Sequence, residues 1–185
     1  MRALPVLVVG IWLCGLAHST TSDVADQGRP DLAACSELDL RVGGLFRVGT
    51  ARLYLENCQH ARQDILAPVA KQFSLEVARR FSGQDLSEVA HDLLRRNLDL
   101  SKDDALPEGL ACLADAYVDV DAGDRYDVSY LPELGLALHL NGELLTRCEN
   151  TGLAEKYFLI WFGDEPFHRR MRDTLLQRAE TTVQG

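Results

Sequence analysis

Apolar and polar residues alternate along much of the first half of the chain, with the two-residue period of a half-buried β-strand. Residues 38–56 are also rich in β-branched and aromatic side chains, so they predict two strands, or one long bent strand, with a break at Gly43-Gly44. Residues 73–81 (FSLEVARRF) predict a further half-buried strand. The less regular residues 57–72 contain a proline and are predicted to form a loop.

The apolar period then lengthens to that of a helix. Asp85, followed three residues later by Glu88, resembles a capping box, and residues 86–94 carry one apolar face. A second helix is predicted over about residues 107–118, whose first residue is a proline suited to a first turn. Residues 125–131 (RYDVSYL) return to the alternation of a strand.

The clearest single feature is the segment 134–148 (LGLALHLNGELLTRC). Leucines at alternate positions form one apolar face, and Asn141-Gly142 supplies the positive φ angles of a type I′ hairpin turn. Two more helices are predicted, over residues 153–163 and about residues 165–178. Strands and helices in blocks around a hairpin indicate an α+β fold in which helices pack on an antiparallel sheet.

The N-terminal residues have the pattern of a secretory signal. Arg2 precedes an uncharged apolar run over residues 3–17, and small residues stand at Ala17 and Ser19. The run is shorter than the roughly 20 apolar residues that span a bilayer. We therefore expect cleavage after Ser19, with a retained N-terminal anchor as the alternative, and a protein exported to a bacterial periplasm without a membrane span after cleavage.

The chain accordingly divides into three predicted regions: a signal peptide (1–19), a polar flexible lead-in (20–36) and one domain (37–180). Of the 185 residues, 46% are hydrophobic and 25% are charged, which is typical of a globular chain. The formal net charge of −9 argues against nucleic acid, or an anionic membrane surface, as the main partner, because both require a basic footprint.

Four cysteines remain beyond the predicted signal: Cys35, Cys58, Cys112 and Cys148. An even number in an oxidising compartment predicts two disulfides, and the three possible pairings stay open, as does the alternative of four buried free thiols. Neither a CxxC motif nor a short histidine spacing indicates a metal site. Nucleotide-binding glycine motifs and the GxSxG hydrolase motif do not occur either, so we expect no cofactor.

The strand residues Arg41, Thr50, Arg52 and Tyr54 are the candidate ligand-binding residues. Strand alternation places Thr50, Arg52 and Tyr54 on one face, and arginine holds a carboxylate through paired hydrogen bonds. The alternative is that most of the arginines in this part of the chain lie in solvent.

Three stretches resemble the bacterial exported branch of the chalcone isomerase-like family: FRVGTARLYLE, FSLEVARRFSGQDL, and GDRYDVSYLPELGLALHLNGELL followed by ENTGLAEKYFLIWFG. The resemblance covers about residues 38–176. It implies an open-faced β-sandwich with a cleft between a large antiparallel sheet and a helical layer. Catalytic members of the family close a chalcone to a flavanone with an early-strand arginine and hydroxyl side chains, whereas other members bind fatty acids.

Compared residue by residue, this sequence matches the catalytic residues of the family only in part. Arg41 is the nearest match to the early-strand arginine, and Gly49 stands where a tyrosine or threonine hydroxyl is usual, with Thr50 beside it. Ala154 and Glu155 occupy the region where plant enzymes carry a small hydroxyl. The resemblance therefore implies a protein that lacks the ring-closing groups.

These observations support one leading hypothesis and two alternatives. In the first, the exported protein is a non-catalytic binder of a small apolar acid such as a fatty acid. In the second, Tyr157, Phe158 and Trp161 fill the cleft, and the protein is a structural or partner-binding component of the periplasm. The third is an isomerase that acts on a chalcone-like substrate.

Overall fold

The computed structural model describes residues 32–43, 45–149 and 151–182. The predicted signal peptide and most of the predicted lead-in lie outside the described residues. The first strand already begins at Ala33, inside the predicted lead-in (20–36). None of the helices in the described ranges has the length and apolar character that crossing a bilayer requires.

Within the described ranges, six strands form one sheet in chain order, and every neighbouring pair is antiparallel. The strands are β1 (Ala33–Val42), β2 (Phe46–Leu55), β3 (Lys71–Val77), β4 (Arg125–Leu131), β5 (Gly135–Leu140) and β6 (Glu143–Cys148). The chain breaks between β1 and β2 at Gly43, where φ is 61°, and it turns between β5 and β6 at Asn141 (φ 53°) and Gly142 (φ 89°). Both predicted turns are thus confirmed.

The helices are α1 (Ala61–Asp64), α2 (Gly83–Asn97), α3 (Glu108–Ala114), α4 (Leu159–Phe162) and α5 (Arg169–Thr181). Short 3-10 helices at Cys58–His60 and Ala154–Phe158 precede α1 and α4. The α+β fold with an antiparallel sheet is therefore as predicted. The region 57–72, predicted as a loop, contains the first 3-10 helix and α1, and it ends in the start of β3.

Two helix ends differ from the sequence prediction. The N-cap of α2 is Ser82, whose hydroxyl accepts a hydrogen bond from the Asp85 backbone N–H at 3.0 Å, so Asp85 lies in the first turn instead of capping it. Helix α3 ends at Ala114, four residues before the predicted end. Beyond it, the Val118 N–H donates to the Tyr126 hydroxyl on β4, at 3.0 Å, and so joins the sheet rather than a helical turn.

The hydrophobic core lies between one face of the sheet and the helices. Alternate residues of β2, β3, β4 and β5 point towards the helices and are almost completely buried, among them Leu53, Phe73, Val128 and Leu138. The Phe73 ring stacks on the Trp161 indole of α4, with 4.3 Å between the ring centroids. This aromatic contact attaches the centre of the sheet to the helical layer.

Two disulfides close the framework that the cysteine count predicts. Cys35 of β1 pairs with Cys58, and Cys112 of α3 pairs with Cys148 of β6. The sulfur–sulfur distances are 2.04 and 2.00 Å. The structure thus selects one of the three open pairings, and it ties each edge strand of the sheet to a neighbouring segment.

A fully buried cation lies at the start of β3, on the helix-covered face. The Lys71 ammonium donates to the backbone carbonyls of Asp64, Ile65 and Ala67, with 2.9 Å to the Ile65 oxygen. It also lies 5.5 and 5.3 Å from the centroids of the Tyr130 and Phe158 rings. Burial lowers the pKa of Lys71 to about 8, so the group is still largely charged at neutral pH, and its three donors serve to fix the segment after α1.

Replacing this lysine tests that structural role. We expect Lys71→Met to lower the free energy of unfolding by about 1–3 kcal/mol, because buried carbonyls lose their donor. The measurement is urea denaturation followed by circular dichroism, with Lys102→Met, at an exposed position, as the control. Equal stability of the two variants would contradict the role assigned to Lys71.

Candidate functional site

An apolar cavity of about 70 Å³ lies between the sheet and the helices. Its walls come from β3, β4, α2, α4 and the segment after α3, and all of the side chains are aliphatic or aromatic: Phe73, Leu75, Val77, Leu86, Val89, Ala90, Tyr117, Tyr126, Val128, Ile160 and Trp161. The volume is well below the roughly 300–1,000 Å³ of pockets that enclose a drug-sized ligand. A long aliphatic chain therefore fits only in part unless wall residues move.

The sequence explains why the cavity forms at this place. The two-residue period of β3 and β4 turns their apolar residues towards the helices, and the helical period of α2 turns Leu86, Val89 and Ala90 towards the strands. Ala90 is buried, whereas Leu86 is half-buried and Val89 is 42% exposed. Leu86 and Val89 thus form the mouth of the cavity, and the buried Phe73 and Trp161 rings line its interior.

The polar side-chain groups in this lining are the hydroxyls of Tyr117 and Tyr126 and the indole N–H of Trp161. The Tyr126 hydroxyl donates to the Val118 carbonyl at 2.6 Å and accepts from the Val118 N–H, so its hydrogen-bonding capacity is used. The Tyr117 hydroxyl lies 3.2 Å from the Tyr157 hydroxyl, and burial raises the pKa of both groups, which keeps them protonated. One hydrogen bond uses only one of the two protons. Tyr157 is the donor in that bond, so the remaining proton belongs to Tyr117, whose side chain lines the cavity.

Among the residues that the structure describes, none that lines the cavity is charged. Lys71, the buried cation on the same face of the sheet, directs all three of its N–H groups to backbone carbonyls. Moving an ionised carboxylate into such an apolar space without a partner costs much free energy. The arrangement therefore suits an apolar chain inside the cavity and a polar or charged head group at its mouth.

The predicted trio Thr50, Arg52 and Tyr54 does share one face of β2, but that face is opposite to the helices and to the cavity. The Arg52 guanidinium donates to Glu37 at 2.6 Å and to Glu76 at 3.1 Å. The Thr50 hydroxyl donates to the Asp39 carboxylate at 3.0 Å. The sheet thus separates these three residues from the cavity, and their role in ligand binding stays a prediction.

Arg41 lies apart from the trio, at the end of β1 beyond a register shift. It is exposed and lines a polar groove of about 300 Å³ together with His168 and Arg170 of the α5 region. The four predicted ligand-binding residues are therefore in two places, and neither is at the apolar cavity.

Sequence reasoning missed a buried polar network on the face of the sheet opposite to the helices. The Gln72 amide donates to the Ser74 hydroxyl at 3.0 Å, and Ser74 donates to the Asp127 carboxylate at 2.5 Å. The Arg125 guanidinium lies 3.2 Å from the same carboxylate. The polar residues at alternate positions of β3 and β4 could have indicated this network in the sequence. The network hydrogen-bonds groups that would otherwise be buried without partners.

Gly49 occupies the helix-covered face of β2, between Leu40 of β1 and Val77 of β3 in the strand register. A Cβ atom at this position would lie 2.1 Å from the Glu76 carbonyl oxygen, which no side chain tolerates. The backbone of β3 therefore lies too close to Gly49 for the tyrosine or threonine that the family resemblance implies at this position. Ala154 is fully buried and offers no hydroxyl either.

The close approach at Gly49 predicts that a hydroxyl cannot be restored by substitution. We expect Gly49→Ser to lower the free energy of unfolding by about 1–3 kcal/mol or more, because β2 and β3 must separate to admit the new atoms. The measurement is thermal unfolding of the variant beside the wild type. A variant with unchanged melting temperature would show that β3 yields without cost and would contradict this account.

The comparisons with known proteins agree with the fold. The family model described as chalcone isomerase-like matches residues 38–177. Among solved structures, a crystal structure of a fatty-acid-binding protein from Arabidopsis thaliana superposes with a TM-score of 0.55 at 14% sequence identity, over 81% of this chain and 89% of that chain. Comparison with curated protein sequences gave no match.

Proposed function

Since this chain belongs to the chalcone isomerase-like family, and its sheet and helices enclose a largely apolar cavity, we propose that it is a non-catalytic binder of an aliphatic ligand such as a fatty acid. The cavity lining is the observation that supports this proposal most directly. Ligand sites are typically apolar with few, well-placed polar groups. The polar groups of this lining are few: the hydroxyls of Tyr117 and Tyr126 and the indole N–H of Trp161.

The proposal assigns separate places to the two ends of the ligand. The hydrocarbon chain enters between Leu86 and Val89 and reaches towards Trp161, and the carboxylate remains at the mouth in contact with water. Because the present volume is about 70 Å³, a long chain must displace the half-buried Leu86 and the exposed Val89. Short and medium chains are therefore the best fit.

Ring closure of a chalcone is not part of this proposal. The close contact between Gly49 and β3 leaves no room for a hydroxyl on the cavity side of β2, and Arg41 lies in a different groove. General acid–base chemistry requires the acting groups within hydrogen-bonding reach of one substrate. The described residues do not supply such an arrangement at the cavity.

Export to the periplasm belongs to the proposal as well. The pattern of residues 1–19 supports it, as do the disulfides Cys35–Cys58 and Cys112–Cys148. Disulfides persist in oxidising compartments and are rare in the cytosol. A periplasmic binder would hold its ligand in a compartment that lies between two membranes.

The binding proposal predicts a ligand-dependent rise in thermal stability. Hexanoic, decanoic and hexadecanoic acids are each added to delipidated protein at the same concentration; an acid present at about 100 times its dissociation constant adds about 2.7 kcal/mol to the free energy of unfolding. For a chain of this length, that corresponds to a rise in melting temperature of roughly 5–10 °C. We expect decanoic acid to give the rise and Val89→Trp, which blocks the mouth, to abolish it.

Leu144→Trp, at a 51% exposed position on β6, is the matched control and should leave the rise unchanged. Native mass spectrometry of the protein before delipidation provides an independent readout. If no small molecule is retained and no acid raises the melting temperature, the binding proposal fails. Tyr157, Phe158 and Trp161, all buried between the layers, then fill the cleft as the second sequence hypothesis states.

The positions of the arginines give a separate prediction. Arg41 and Arg52 lie outside the cavity, so Arg41→Gln and Arg52→Gln should each leave the affinity for decanoic acid within about twofold of wild type, a change below about 0.5 kcal/mol. Isothermal titration calorimetry measures this. A tenfold loss in the Arg52 variant would place the carboxylate on the opposite face of the sheet and would overturn the cavity as the site.

A further inference from the structure

The hairpin that joins β1 to β2 exposes three large apolar side chains at its apex. Leu45 is 81% exposed, Phe46 is 66% exposed and Val42 is 42% exposed. One exposed leucine on a protein surface needs no explanation, but three neighbouring apolar residues, one of them aromatic, form a patch that indicates a contact with another surface. We call these three residues the apolar apex.

Cationic side chains surround the apolar apex. Arg41 and Arg47 precede and follow it in sequence, and Arg170 lines the same groove as Arg41. Arg47 forms an ion pair with Asp39 at 3.2 Å. Within the described part of the chain, neither Arg41 nor Arg170 forms an ion pair. The apex therefore carries a local excess of positive charge. The expectation against an anionic membrane surface rested on the formal net charge of the whole chain, −9, which does not describe this end of the sheet.

The apolar apex and the cavity lie at the same end of the sheet. Gly49 is opposite Val77, which lines the cavity, and Phe46 lies three residues further along β2 towards the apex. At about 3.3 Å per strand residue, the apex is roughly 10 Å beyond the cavity wall along the strand direction. Contact of the apex with a surface would therefore bring the cavity close to that surface.

We propose that the apolar apex, with Arg41 and Arg170 beside it, docks the protein on the surface of an anionic lipid membrane. This inference rests on the proposed function, since docking would place the cavity where an aliphatic ligand can enter from or return to the membrane. A projecting apolar apex with cations at its rim fits a fluid lipid surface, in which apolar side chains insert among acyl chains while arginines meet the headgroups.

A second copy of the chain is a less suitable occupant of the apex, because a symmetric contact would bring the unpaired arginines of both copies together. Three acidic residues of the segment before β4 lie at the same end of the sheet, but on the side of β3 away from the apolar apex: Asp119, Asp121 and Asp124. Repulsion from anionic headgroups holds them away from the surface. The protein consequently docks tilted, with the β1–β2 edge lowest.

Vesicle flotation tests the proposal with the full mature chain. One set of vesicles contains phosphatidylcholine with about 30% phosphatidylglycerol, and the other contains phosphatidylcholine alone. We expect wild type to bind the anionic vesicles only, and the binding to weaken as salt screens the charges. Arg41→Gln combined with Arg170→Gln should reduce binding more than tenfold, since each arginine near the surface contributes about a fivefold factor.

The apolar contribution is tested by Leu45→Ser combined with Phe46→Ser, which should abolish vesicle binding. Leu144→Ser combined with Leu145→Ser, at exposed positions on β6, is the matched control and should bind as wild type does. Melting temperatures verify that both double variants fold. Decanoic acid binding in solution, measured by calorimetry, should be the same in all of them.

Three results would each overturn the docking proposal: no binding of wild type to anionic vesicles, equal binding to both vesicle types, or full binding by the Leu45/Phe46 variant. A concentration-dependent dimer that this variant abolishes would assign the apex to a second copy instead. If neither the wild type nor any variant binds decanoic acid, while the wild type still binds anionic vesicles, the proposed function fails and the docking surface remains.

Discussion

The stack of the Phe73 ring on the Trp161 indole attaches the middle of the sheet to the helical layer, with 4.3 Å between centroids, and the cavity lies directly beside it. Phe162 meets the same Phe73 ring edge-on at 6.0 Å, so two residues of one helical turn hold one strand residue. This contact fixes the distance between the two layers. The distance in turn sets the volume that a ligand can occupy, and a smaller residue at either position would change the size of the site.

The two faces of the sheet differ in chemical character. The helix-covered face is largely apolar, and its buried Lys71 ammonium is fully engaged with carbonyls. The opposite face carries the Gln72, Ser74 and Asp127 network and the Arg52 ion pairs. Because strand residues alternate between faces, one stretch of sequence builds both surfaces. Ligand retention and surface contacts can therefore vary independently.

The sequence predicted those turns and strands whose formation depends only on neighbouring residues. The Asn141-Gly142 turn needs only two residues with positive φ, and the alternation of β3 and β4 needs only its period. Contacts between distant segments decided the rest. The start of α2 shifts to Gly83 because Ser82 caps it, and the disulfide partners follow from how β1 and β6 meet the helices. Alternation placed Arg52 on the correct face of β2, but the side of the sheet that holds the cavity depends on where α2 and α4 pack.

Each edge strand of the sheet carries one cysteine of a disulfide, Cys35 on β1 and Cys148 on β6. An edge strand presents unpaired backbone groups, and once it peels away it exposes a fresh edge to other molecules. Here neither border of the sheet can detach over its whole length while the sulfur bridges persist. A reducing environment would release both borders together. Redox conditions during biosynthesis therefore govern the tendency of newly made chains to associate through their strands.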